Sequence, residues 1–296
     1  MRFAAIAVVA VIVLAASGVH LIQKNQAQKR REELLRLADS LLVVRFFDVG
    51  QGNAALVRTP GGKTLLIDAG PTDQSAALVR LLSESGVEKL DAVALTHPHE
   101  DHYGGMSRIV GTFPVGAFII HEGFADTVPF DRFEAMLLQA GDGTVFYHVK
   151  AGDVFTFDGV TVTVLSPAAV DPDDYNESSL VLKAVYGETA FLFTGDAEKG
   201  AESAMLARGE DLKADVLLAG HHGSGSSSTN AFVKAVSPGA AVISCGKDNP
   251  YGHPGKRVLK TFETYGVNVY RTDGEGTVTF LSDGRTVSHV SAVSSR

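Results

Sequence analysis

The segment Thr96-His97-Pro98-His99-Glu100-Asp101-His102 restricts this chain's fold more than any other. It follows the apolar run Ala92 to Leu95, which reads as a buried strand, and precedes Gly104-Gly105, so its side chains project from a strand-to-helix turn. His97, His99, Asp101 and His102 are four donors in so short a stretch that they can converge only on a small ion. Imidazole nitrogens with a carboxylate oxygen suit Zn²⁺, with Mn²⁺ or Fe²⁺ as alternatives where oxygen donors predominate.

The surrounding pattern is a mixed α/β one. Strands are expected at Leu42 to Phe47, Ala54 to Arg58 and Thr64 to Ile67, separated by Gly50-Gln51-Gly52 and Pro60-Gly61-Gly62. A helix over Ser75 to Ser85 then leads to the strand before His97. The second half repeats the style, with strands at Val160 to Leu165, Ser179 to Val185 and Ala190 to Thr194, a helix near Glu198 to Arg208 and a strand at Val216 to Ala219. A strand at Ala240 to Ser244, a helix near Lys256 to Tyr265 and strands at Val267 to Tyr270 and Thr277 to Leu281 follow. Two such halves imply two sheets packed face to face with helices outside.

Further candidates stand at later strand ends. Asp196 closes Thr194-Gly195-Asp196 and reads equally as a helix cap or as a carboxylate bridging two cations. His221-His222-Gly223-Ser224 follows another strand. Adjacent histidines point in different directions, so at most one is expected to share the same ion, leaving its neighbour as proton donor or as a support behind a ligand. The Gly-Ser-rich continuation to Ser228 is expected to be mobile enough to close over a substrate. His253, in Tyr251-Gly252-His253-Pro254, again follows a strand.

In this order, Phe47-Asp48-Val49-Gly50-Gln51-Gly52, Leu66-Ile67-Asp68-Ala69-Gly70, the His97 to His102 run, Thr194-Gly195-Asp196, His221-His222-Gly223-Ser224 and Tyr251-Gly252-His253-Pro254 resemble the motifs of the metallo-β-lactamase superfamily. The likeness extends from about Leu42 to Gly284 and is nearest to the hydrolase domain of the ComEC-type competence DNA-uptake proteins. It implies a four-layer αββα sandwich and one or two Zn²⁺ ions, or Mn²⁺. His97, His99 and Asp196 would hold one ion, and Asp101, His102, His253 and Asp196 a second. Asp48, Asp68, Asn176 and Ser179 would stand behind these ligands, and Asp101, His221 and His222 would act on water and leaving group.

Two departures from the family pattern matter. Tyr175-Asn176-Glu177-Ser178 has no histidine where many members place one, so the first site lacks a ligand unless Asn176, a serine or His221 substitutes. Asn53 stands where the ComEC-type pattern carries an acidic residue.

The resemblance therefore implies a hydrolase that uses a metal-activated water. Three readings of its substrate stand: a DNA or nucleotide phosphodiester; a small molecule such as a lactone, β-lactam, thioester or phosphoester; or no turnover, in a degraded binding module. A net charge of −8 argues against a broad basic surface for DNA, although Lys247, Lys256 and Arg257 beside His253 could contact a phosphate. No protein partner can be inferred.

The N-terminus sets the expected compartment. Phe3 to Ile22 carries no Lys, Arg, Asp or Glu and as a helix would span about 30 Å, the thickness of a bilayer core. The expected organisation is a signal or anchor helix over 1–23, an amphipathic linker over 24–41, the catalytic domain over 42–290 and a tail over 291–296. Such a protein would be membrane-anchored or secreted, outside the cytoplasm of a bacterium. The lone Cys245 excludes an internal disulfide.

Overall fold

Apolar runs that are buried on both sides account for the two sheets at the centre of the protein. The computed structural model describes residues 40–122 and 144–290. The anchor helix expected over 1–23, nearly all of the linker over 24–41 and the tail over 291–296 lie outside the described residues. Among the described residues no helix is long and apolar enough to cross a membrane.

The first sheet contains β1 (Leu42–Phe46), β2 (Ala55–Arg58), β3 (Thr64–Ile67), β4 (Ala92–Ala94), β5 (Ala117–His121), β6 (Val145–Val149), β14 (Val278–Ser282) and β15 (Val287–Val290), in the order β15-β14-β1-β2-β3-β4-β5-β6. The second contains β7 (Val154–Phe157), β8 (Val160–Ser166), β9 (Val181–Tyr186), β10 (Thr189–Phe193), β11 (Val216–Leu218), β12 (Ala240–Ile243) and β13 (Asn268–Arg271), in the order β13-β12-β11-β10-β9-β8-β7. Side chains alternate across each strand. Leu65 and Ile67 of β3 and Phe191 and Phe193 of β10 enter the core between the sheets, whereas Leu66 and Leu192 face outward. The rings of Phe46 and Phe193 meet across that core at 5.8 Å. Each such buried side chain contributes roughly 1.5–3 kcal/mol.

Helices cover both outer faces. On the first sheet, α1 (Ser75–Glu84), the single turn α2 (Glu100–Tyr103) and α3 (Met106–Val110) bring Leu78, Leu82, Met106 and Ile109 onto Leu66 and Val93. On the second, α4 (Lys199–Arg208), α5 (Asn230–Val236) and α6 (Lys256–Thr264) bring Met205, Phe232 and Phe262 onto Leu192, Leu217 and Ile243. A last turn, α7 (Thr272–Glu275), follows β13. The result is the four-layer αββα sandwich expected from the sequence.

Strand direction positions the site. β3 and β4 run parallel, with Ile67 opposite Ala94, and β10, β11 and β12 run parallel, with Phe193 opposite Leu218 and Leu218 opposite Val242. Functional groups in such sheets gather beyond the carboxyl ends of the strands. Here the segments that follow β3, β4, β10, β11 and β12 meet.

The sequence reading did not anticipate β5, β6, β7, β15 or α5. Along β6 and β7, which are sheet edges, exposed and half-buried side chains replace a solid apolar run. α5 is too short to display a helical period, although the Thr229 side chain caps it by accepting from Phe232 N.

Candidate metal centre

Asp68, immediately after β3, fixes the first half of the centre. Its Oδ1 accepts from Thr96 N at 2.8 Å, and its Oδ2 accepts from Thr96 Oγ1 at 2.8 Å and lies 2.8 Å from His102 Nδ1. One carboxylate thus ties the end of β3 to the turn after β4. The turn packs closely because Gly105 has no Cβ; one built there would lie 2.2 Å from Ala69 O. His97 is fully buried, with Nδ1 3.1 Å from Thr96 Oγ1 and 3.4 Å from Ser179 Oγ. Its Nε2 lies 3.0 Å from His99 Nδ1.

The second half is built on Asp196, whose backbone N donates to Ser179 Oγ. Its two oxygens face different histidines. Oδ2 is 3.7 Å from His97 Nε2 and 3.6 Å from His221 Nε2, while Oδ1 is 3.1 Å from His102 Nε2 and 3.7 Å from His222 Nε2. Both neighbours of the His221-His222 pair can reach this carboxylate because both adopt left-handed backbone angles, φ 47° and 53°. Such angles are strained for residues other than glycine and are found at functional sites. This turn sets the two rings on different oxygens of Asp196. It also needs Gly220, where a Cβ would lie 2.5 Å from Ala197 O.

The ring nitrogens show what the arrangement can bind. His102 Nδ1 is committed to Asp68, His221 Nδ1 to Glu198 Oε1 at 2.7 Å and His222 Nδ1 to Ser244 O at 2.9 Å. A carboxylate or carbonyl can only accept, so each Nδ1 carries a proton and Nε2 is the nitrogen through which each ring can coordinate once it has none. Those Nε2 atoms face carboxylate oxygens, including Asp101 Oδ2 at 3.0 Å from His222. His102 Nε2 and Asp196 Oδ1 are buried and have no hydrogen-bond partner. Imidazole nitrogens converging on buried carboxylates fit a divalent cation, and the groups His97, His102, Asp196 and Asp101, His102, His222 each gather their donor atoms within 4.8 Å.

Burial keeps His97 well below its ordinary pKa, reinforced by His102, so it is neutral and ready to coordinate. Burial also lowers His99. His102 behaves oppositely: burial opposes its charge, but Asp196 and Asp68 together raise its pKa well above the ordinary value. A proton there is in competition with a cation. Asp101 and Asp196 stay ionised against the effect of burial, Asp101 through His222 and then His102, Asp196 through His102 and then His222.

Other candidate residues are placed differently. Asn176 Nδ2 lies 3.5 Å from His221 Nδ1. Asp48 is exposed and its carboxylate accepts from Gly50 N two residues on, a local turn contact; no donor of the centre is among its hydrogen-bond partners. His253 lies beside the cluster, its ring 5.6 Å from that of His221 and 6.4 Å from that of His222, and its Nδ1 is buried without a hydrogen-bond partner; it is in neither of the donor groups gathered within 4.8 Å. Arg257 is not a free phosphate contact, because its guanidinium donates to the carbonyls of Gly225, Ser227 and Ser228. Glu202 accepts from Ser228 N and Thr229 N, and Ser226 Oγ donates to Glu198. The loop after His222 is therefore pinned, which corrects the expectation of a mobile flap.

The sequence model of the metallo-β-lactamase superfamily matches residues 47–247. The chain belongs to the metallo-β-lactamase superfamily. Within it, the chain is 34% identical over 261 residues to ComE operon protein 3 of Bacillus subtilis, covering 82% of this chain and 33% of that protein. It is 35% identical over 241 residues to Competence protein ComA of Neisseria gonorrhoeae, covering 80% and 32%. The chain spans about a third of the length of these curated relatives. The metallo-β-lactamase fold protein YhfI of Bacillus subtilis superposes with a TM-score of 0.55 at 14% identity, over 81% of this chain and 100% of that one, a likeness of fold. Superfamily membership and the donor set identify a metal-dependent hydrolase.

Sequence reasoning missed Glu198 and Ser244. A signal for Glu198 was present: it occupies the N-cap of α4, a place that favours Ser, Thr, Asp or Asn. Its side chain makes no cap. Glu177 takes that task instead, accepting from Gly200 N and Ala201 N.

Proposed function

We propose that the protein hydrolyses phosphodiester bonds of DNA or of a nucleotide, using two divalent cations, with Zn²⁺ preferred and Mn²⁺ as the alternative. The observation that carries this reading is the division of Asp196, one oxygen facing His97 and the other facing His102. His97, His99 and Asp196 Oδ2 would hold one ion, and Asp101, His102, His222 and Asp196 Oδ1 the other. When bound, such a pair acidifies water and offsets the charge that develops on a phosphoryl group.

The chain's own residues prepare that chemistry. Asp68 and Ser244 O fix the ring orientations of His102 and His222. Asp101, ionised and half-buried, is placed to orient the attacking water or accept its proton. In this reading His222, given a proton-donor role from sequence, is a ligand, and His253, given a ligand role from sequence, is the neighbouring imidazole left for proton transfer toward a leaving group. That exchange rests on the 3.0 Å approach of His222 to Asp101 and on the donor groups gathered within 4.8 Å, which include His222 and not His253.

The phosphodiester is favoured over a small carbonyl substrate by the competence proteins among the relatives and by the rim of the site. Tyr251 is 68% exposed and lies over His253, and Tyr175 meets His99 edge to face at 6.0 Å. Aromatic rings at the rim of a reacting centre, here one exposed and one half-buried, suit stacking against a nucleobase. Lys247 and Lys256 are exposed near His253 and remain the local cations for a phosphate. The reading of a degraded module rested on the histidine missing at 175–178, and the donors around Asp196 leave it without support.

Assay of metal-stripped and reloaded protein on bis(4-nitrophenyl) phosphate and single-stranded oligonucleotides, beside lactone, β-lactam and thioester substrates, tests the proposal. Cation-dependent turnover favouring the phosphodiesters is expected. Preference for the carbonyl substrates would overturn it. An extracytoplasmic, membrane-anchored location belongs to the same proposal and rests on the sequence of residues 3–22; a chain starting at Leu41 should be soluble and active, and an inactive truncation would contradict the boundary.

A further inference from the structure

We infer that His221 is the third imidazole ligand of the first cation, replacing the histidine absent from Tyr175-Asn176-Glu177-Ser178, and that Glu198 is the residue that positions it. The inference rests on the two-cation reading above and adds to it a ligand and its support.

Three observations converge. First, His221 Nε2 approaches Asp196 Oδ2 at 3.6 Å, the same oxygen that His97 Nε2 approaches at 3.7 Å, while the other oxygen faces His102 and His222. The carboxylate thus has one pair of imidazoles on each side. Second, the proton of the ring is assigned by its partner. Glu198 Oε1, 2.7 Å from His221 Nδ1, can only accept from it, which leaves Nε2, toward Asp196, as the nitrogen able to coordinate. A carboxylate behind a histidine in this way fixes its tautomer and strengthens its basicity toward a metal. Third, Glu198 is itself held. Glu177 caps α4 in its place, and Ser226 Oγ donates to the same Oε1 at 2.6 Å.

A proton donor would need a different arrangement. Its proton-bearing nitrogen would face the substrate, whereas here that nitrogen is turned to Glu198. The strained backbone at His221 has a purpose on this account, since φ 47° is what swings its ring toward Asp196 beside that of His222.

Metal stoichiometry and cobalt spectroscopy on the full-length protein provide the test. The parent protein should hold about two equivalents of Zn²⁺ and His221→Ala about one, with the circular dichroism of the metal-free forms unchanged. Glu198→Gln should keep both ions but weaken one of them about 10- to 100-fold. His221→Cys loaded with Co²⁺ should show a thiolate-to-cobalt charge-transfer band absent from the parent, a signature that does not depend on activity. Two equivalents retained in His221→Ala, or no thiolate band in His221→Cys, would overturn the assignment of His221 while leaving the two-cation reading intact. No bound metal in the parent protein would instead overturn both.

Discussion

Asp196 Oδ1 and His102 Nε2 lie 3.1 Å apart, both buried and neither in hydrogen-bond geometry with any other group. An unpaired carboxylate oxygen opposite an unpaired imidazole nitrogen is costly in a protein interior unless a cation or a proton joins them. Asp68 determines which nitrogen of His102 faces Asp196, because it accepts the proton at Nδ1.

Asp68→Asn should therefore weaken metal binding about 10- to 100-fold, the usual effect of removing a partner behind a ligand, without removing any ligand. Competition for Zn²⁺ against a chromophoric chelator measures it. Unchanged affinity would show that the orientation of His102 does not depend on this contact.

His121, at the end of β5, gives the stability a pH dependence separate from the centre. Burial, and then His148, hold its pKa down to about 4, against about 6.5 in an unfolded chain. A depressed histidine stays neutral in the folded state while the unfolded chain takes up a proton, so its stability contribution is complete above about pH 6.5 and is lost as pH falls toward 4. Between pH 7.5 and 5 the loss is about 2 kcal/mol. Urea unfolding of His121→Gln should show the variant gaining about that much relative to the parent over this interval. Parallel pH profiles would exclude the effect.

Cys245 reports on unfolding. It is fully buried, and burial followed by Asp273 pushes its thiol up to about 11. A buried thiol that remains protonated is a poor nucleophile. The native protein at pH 8 should resist a disulfide reagent and react only as fast as it opens, at a rate that rises with denaturant. Rapid labelling without denaturant would contradict the placement of β12 and the residues after it.

Much of the layered fold was legible because β3, β4, β10, β11 and β12 are buried on both faces and so read as solid apolar runs between glycines. The edge strands β6 and β7 were not, since half of each faces solvent and no apolar run remains. In the centre, the His97 to His102 turn could be read because its donors are close in sequence. The pairing of His221 and His222 around one carboxylate could not, because it depends on two consecutive left-handed residues and on the space left by Gly220. The partners that set the tautomers, Glu198 and the carbonyl of Ser244, were hidden for a related reason: each lies more than twenty positions from its histidine.

The account stands most directly on the metal content of the double variant His97→Ala/His99→Ala, measured by elemental analysis beside hydrolysis of bis(4-nitrophenyl) phosphate. These two rings meet at 3.0 Å, with His97 Nε2 3.7 Å from Asp196 Oδ2; the contacts of His97 with Thr96 and Ser179 and of His99 with Tyr175 are local to the centre. The account predicts a folded protein that has lost the first cation and its hydrolytic activity. Wild-type metal stoichiometry in the variant, or turnover at the parental rate, would contradict it.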